Sequence, residues 1–129
     1  MPSPNAVRFF LICSCLWGFN LLYAGFDPIP ADQVEAILAL KGGTATVEGA
    51  VHNAFWVRNQ VLMITFREER GGFVAVAFAR NRPALNEAFG GDILKAVAGK
   101  TIQVTGEVTE HESRPQIVIE RPDQLKVLD

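Results

Sequence analysis

A chain of 129 residues, 49% hydrophobic and 20% charged, has room for one domain and the composition of a globular protein, not of a disordered tail. Its formal net charge of −2 excludes a global positive field, so any attraction for nucleic acid must come from a local patch. Both cysteines, Cys13 and Cys15, lie near the N-terminus, and the rest of the chain has no thiol, disulfide or cysteine metal ligand.

No charge occurs between Arg8 and Asp27, a stretch rich in Phe, Leu, Ile and Trp. A basic residue, an apolar run and a small residue before a more polar chain read as a secretory signal peptide over residues 1–24, cut after Ala24. The domain is then 25–129, secreted or periplasmic, with a charge of −3 once Arg8 is gone. An uncleaved membrane anchor over residues 9–26, or lipidation at Cys15 behind Ser14, are the alternatives.

Pro30 and Asp32 open a short helix over 32–41, whose Val34, Ile37, Leu38 and Lys41 recur at helical spacing until Gly42-Gly43 stops it. From Thr44 the period changes to two. Residues 44–52, 61–66 and 73–78 read as three strands, the second and third joined by the polar loop 67–72. Residues 80–98 give one or two helical turns broken at Gly90-Gly91. Residues 101–110 and 116–120 are the fourth and fifth strands, joined by His111-Glu112-Ser113-Arg114, and 125–128 is a brief extended tail. The fold expected is all-β: a closed five-stranded barrel with a short N-terminal helix and a short helix between strands three and four.

One pattern occurs twice. Gly-x-Thr-x-x-Val-x-Gly-x-Val fits residues 42–51 and, without a gap, residues 99–108. A glycine inside a strand marks a bend or a close backbone approach, which is the role expected of Gly49 and Gly106. The run Gly99-Lys100-Thr101 through Val104-Thr105-Gly106, then Pro115-Gln116-Ile117-Val118-Ile119 and Pro122-Asp123-Gln124-Leu125, resembles bacterial OB-fold proteins of the nucleic-acid-binding type. Ser113-Arg114-Pro115 stands where those have Gly-Lys-Pro. The resemblance covers nearly all of residues 29–127, and it implies the barrel; OB folds bind oligonucleotides, oligosaccharides or proteins.

In such folds the ligand lies across strands two and three, flanked by two loops. With Ile64 and Phe66 inward, Met63, Thr65 and Arg67 face out, and on the third strand Phe73, Ala75 and Ala77 are expected outside. Residues 53–60 form the first loop, where Phe55 is expected in the core and Trp56 caps the core or meets ligand. Trp56 and Phe73 would stack on bases, while Arg58, Arg67, Arg70, Arg80 and Arg114 would meet phosphates. The partner implied is single-stranded nucleic acid or nucleotides; the alternative is another protein held on the outer sheet face. No cofactor, metal ligand set, nucleophile elbow or zinc-helix motif is present in the sequence, so the reading is of a binding module and not an enzyme.

Overall fold

The computed structural model describes residues 27–67 and 72–128; the predicted export segment and Arg70 lie outside them. A two-residue strand, β1 (Ile29–Pro30), precedes α1 (Val34–Leu38). The helix is shorter than its spacing predicts, because Leu40 and Lys41 close it with turn hydrogen bonds to Ile37 and Leu38 before Gly42 reverses the chain at a φ of 92°. The strands that follow are β2 (Thr44–Ala50), β3 (Asn53–Val57), β4 (Val61–Thr65), β5 (Val74–Phe78), β6 (Thr101–His111), β7 (Arg114–Val118) and β8 (Leu125–Val127). Between β5 and β6 stand α2 (Arg82–Ala88), which Pro83 helps to start, and α3 (Ile93–Val97), whose first turn is capped by the Asp92 carboxylate accepting from the Leu94 N–H at 3.0 Å.

β2 and β6 are the two copies of the repeat, and they pair with each other. The antiparallel register sets Val47 opposite Val104, which are equivalent positions of the repeat, so a local two-fold axis passes between them. The side-chain rungs obey it: Thr46 meets Thr105 hydroxyl to hydroxyl at 2.8 Å, and the equivalent pair, Gln103 and Glu48, is hydrogen-bonded at 2.8 Å. So do the ends, where Val51 N–H donates to the Lys100 carbonyl and Val108 N–H to the Gly43 carbonyl. Alternation then puts Ala45, Val47, Ile102 and Val104 into the core.

The sheet runs β1-β2-β6-β7-β5-β4-β3, with β8 sharing with β7 the edge of β6 opposite β2. Among the described residues eight segments replace the five strands expected, and the sheet is not closed. β2 and β3 are separated only by Val51 and His52, whose N–H groups reach different neighbours: Lys100 on the β6 side and Thr65 on the β4 side, each at 2.8 Å. The chain changes partner there, so the barrel is OB-fold-like without a continuous ring of ladder bonds. Residues 53–57, expected in a loop, are a strand because Phe55, Trp56 and Val57 suit a pleated surface and pair in register with Val61 to Met63.

A gap remains on β6. Residues 102–104 pair with β8 and 108–111 with β7, leaving Thr105 to Glu107 without a strand on that edge. The buried Gln124 side chain fills it. Its oxygen accepts from the Glu120 and Arg121 N–H groups at 2.8 and 3.0 Å, and its amide donates to the Thr105 and Val118 carbonyls at 3.0 and 3.1 Å. Every site on the amide is used.

Two hairpin turns carry residues in the left-handed region: Arg58 and Asn59 at φ 54° and 58°, and Glu112 and Ser113 at 53° and 67°. Both central positions being positive is the mark of a type I′ turn, which favours Asn-Gly. The double substitution Glu112→Asn/Ser113→Gly should therefore stabilise the domain by about 1 kcal/mol, read as a melting temperature raised by roughly 5 °C.

Candidate nucleic-acid interface

The face of β4 follows from its alternation. Leu62 and Ile64 are buried in the core, so Val61, Met63 and Thr65 point the other way. The register then decides β5, since cross-strand partners share a face: Ile64 pairs with Ala75 and Leu62 with Ala77. Ala75 and Ala77 are accordingly core residues, and so is Phe73, which is 2% exposed and packs its ring 5.5 Å from that of Phe66. This corrects the expectation that Phe73, Ala75 and Ala77 face out and that Phe73 is free to stack. A one-residue shift in assignment inverts a whole strand. The other set on β5 is Val74, Val76 and Phe78; the two valines are buried as well, and only Phe78 of that strand is partly exposed.

The same rule sorts β3. Phe55 pairs with Met63 and Val57 with Val61, so both lie on the outer face, 39% and 40% exposed. Trp56 pairs with Leu62 and packs against the core, with the Arg82 guanidinium 4.4 Å from its ring centroid. The expectation of Phe55 inside is reversed, while Trp56 is half-buried, with one side against the core and the Arg82 guanidinium over its ring.

Basic groups stand at both ends of this apolar face. At one end Arg67 and Arg114, with His52, line a cavity of about 260 Å³ together with Phe55 and Met63, and buried Phe73 contributes to its lining. The aliphatic part of Arg67 lies over Gly72, where a Cβ would come within 2.6 Å of its Cδ. At the other end Arg58 sits in the β3–β4 turn. The Ala79 N–H donates to the Gln60 carbonyl at 2.9 Å, which ties that turn to the 3₁₀ segment Ala79–Asn81. Arg80, in that segment, holds its guanidinium 5.2 Å from the Phe78 ring centroid. The five residues of β4 between the two ends span roughly 14 Å.

Of the residues read from the sequence as contacts, Arg67, Phe73 and Arg114 come together at the cavity, Arg58 and Arg80 share the far end with Trp56, and Arg70 lies outside the described residues. Phe55 and His52 are the members that reading missed. Asn53, Phe55 and Val57 alternate as an outward stripe, a signal that is visible only once 53–57 is recognised as a strand. Among the described residues no group of three His, Cys, Asp or Glu side chains could hold a metal ion.

No family model and no curated protein matches this sequence. Solved structures do match the fold. The aspartyl tRNA synthetase of Entamoeba histolytica aligns over 83% of this chain with a TM-score of 0.52 at 13% identity. The asparaginyl-tRNA synthetase of Pyrococcus horikoshii aligns over 78% with 0.51 at 19%, and that of Entamoeba histolytica over 80% with 0.50 at 13%. This chain spans only 22–24% of the length of those enzymes. At such identities the likeness is one of fold: the chain is similar to a part of these synthetases, an OB-fold-like barrel.

Proposed function

We propose that this protein is an exported OB-fold module that binds single-stranded nucleic acid across the outer face of β3 and β4, as far as Phe78 at the end of β5, with weak sequence preference and without catalysis. One observation carries the reading: an outward aromatic and apolar strip, exposed Phe55 and Val57 with half-buried Met63, runs between two groups of arginines, Arg67 with Arg114 and Arg58 with Arg80. Bases stack on aromatic surface while the sugar-phosphate chain runs between cations, and neither contact depends on sequence. Similarity of fold to enzymes that act on tRNA supports the same class of ligand. Export rests on the uncharged stretch behind Arg8, and the absence of catalysis on the lack of any nucleophile or acid–base motif in the sequence.

The experiment is fluorescence anisotropy of a labelled oligo-dT with the domain 25–129, over a range of salt. Affinity should fall as salt rises, and Phe55→Ala should weaken binding roughly tenfold. Arg67→Ala/Arg114→Ala should lower the logarithmic salt slope by about 1.4, as two phosphate contacts are lost from a single strand. Trp56 is a poor reporter, because it lies beneath Arg82 on the core side. The two exposed apolar side chains of β3 favour one other reading, a protein-interaction module. If oligo-dT fails to bind at low salt while the domain self-associates through Phe55, that second reading replaces the first.

A further inference from the structure

The cavity at the Arg67 end of the face differs from the open strip beside it, because it has an inner wall. That wall is the core: Phe73 is 2% exposed, and the half-buried ring of Phe66 stands 5.5 Å from it. A chain that enters there meets the core and has to stop. The donors on the other sides come from three places in the sequence: His52 and Asn53 at the β2–β3 bend, Arg67 after β4, and Arg114 at the start of β7. The bend is fixed from behind, since the His52 N–H donates to the Thr65 carbonyl at 2.8 Å and the Thr65 hydroxyl to the Asn53 carbonyl at 3.3 Å. Asn53 spends its side-chain oxygen on the Ala54 N–H at 2.9 Å, so what it has left to offer is the amide N–H pair. Among the described residues no carboxylate lines the cavity.

Two guanidinium groups, which only donate, with an imidazole and an amide beside them call for an anion rich in acceptor oxygens. A phosphate inside a strand is a diester, with one negative charge and two unbridged oxygens. A phosphate at the end of a strand is a monoester, with three such oxygens and a charge of about −1.5 to −2 at neutral pH. It is also the point at which the chain stops, as a pocket closed by the core requires. Phe55, on the same lining, sets an aromatic ring where the last base would stack. We infer that this cavity is an end-recognition pocket, in which Arg67, Arg114, His52 and Asn53 take the terminal phosphomonoester of a strand whose last base lies on Phe55. The inference rests on the strand-binding reading above and gives it a preference for phosphorylated ends.

The test is anisotropy of the domain 25–129 with an internally labelled oligo-dT in three forms: with a 5′-phosphate, with a 3′-phosphate, or with hydroxyl groups at both ends. At least one phosphorylated form should bind roughly tenfold tighter than the unphosphorylated one, the worth of about one hydrogen bond to a charged group. Which form gains gives the polarity of the strand on the face. Arg114→Ala should bring that ratio close to one and His52→Ala should reduce it to about threefold; neither residue is buried, so both variants should fold. Equal binding of all three forms overturns the pocket and leaves the general binding reading standing. So does a preference for phosphorylated ends that survives both substitutions. If no form binds at low salt, the binding reading itself fails, and the pocket with it.

Discussion

Gln124→Leu should destabilise the domain by about 3 kcal/mol, lowering its melting temperature by on the order of 15 °C. The substitution keeps side-chain volume and removes four hydrogen bonds at once, stranding the N–H groups of Glu120 and Arg121 and the carbonyls of Thr105 and Val118. Each buried unmatched group costs about 1–3 kcal/mol, and the total stays well below four such penalties because water can reach the part-buried rim. Gln124→Glu separates the two halves of the clamp. It keeps the two accepted bonds but sets a carboxylate against two carbonyls, so its penalty should shrink on acidification as the new carboxyl gains a proton. Thermal unfolding of the variants across pH checks both. A Gln124→Leu variant within about 1 kcal/mol of the parent would mean that another group spans the gap in β6.

The clamp also shows where sequence reading stops. Alternation and glycine punctuation locate most of the strands, and the repeat at 42–51 and 99–108 points to β2 and β6. Their mutual pairing about Val47 and Val104 is a tertiary fact, and nothing local encodes it. The inverted face of β5 has the same origin. In Phe73-Val74-Ala75-Val76-Ala77-Phe78 both alternating sets are apolar, so only the register with Ile64 and Leu62 selects the core set. The turns at 58–59 and 112–113 resist reading for a different reason, since Arg, Glu and Ser occupy left-handed positions where glycine or asparagine would have announced them. The candidate site suffers from both problems. Its arginines were legible as charges, but its exposed aromatic is Phe55 and not Trp56 or Phe73, because that choice depends on which strand each residue joins.

Gly106→Ala is expected to cost about 2 kcal/mol, and its dependence on Gln124 is what gives the measurement its value. A Cβ built on Gly106 lies 2.8 Å from Ile117 Cγ2 and 2.9 Å from Gln124 Nε2, closer than carbon atoms tolerate. The amide cannot swing aside without surrendering its four backbone partners, so the added methyl should break the clamp as well as crowd Ile117. Two substitutions that disable the same clamp should not add. Gly106→Ala combined with Gln124→Ala should then fall short of the sum of the single variants by about 1 kcal/mol in urea unfolding. Gly49, the equivalent glycine of the repeat, supplies the control. Its Cβ would meet Ala31 Cβ at 2.7 Å and the Phe66 ring at 3.0 Å, neither of which involves Gln124. Gly49→Ala should be destabilising by a similar amount and additive with Gln124→Ala. If both glycine variants proved equally additive, the amide would be a bystander to the bend at Gly106, and steric fit against Ile117 alone would explain why a side chain is excluded there.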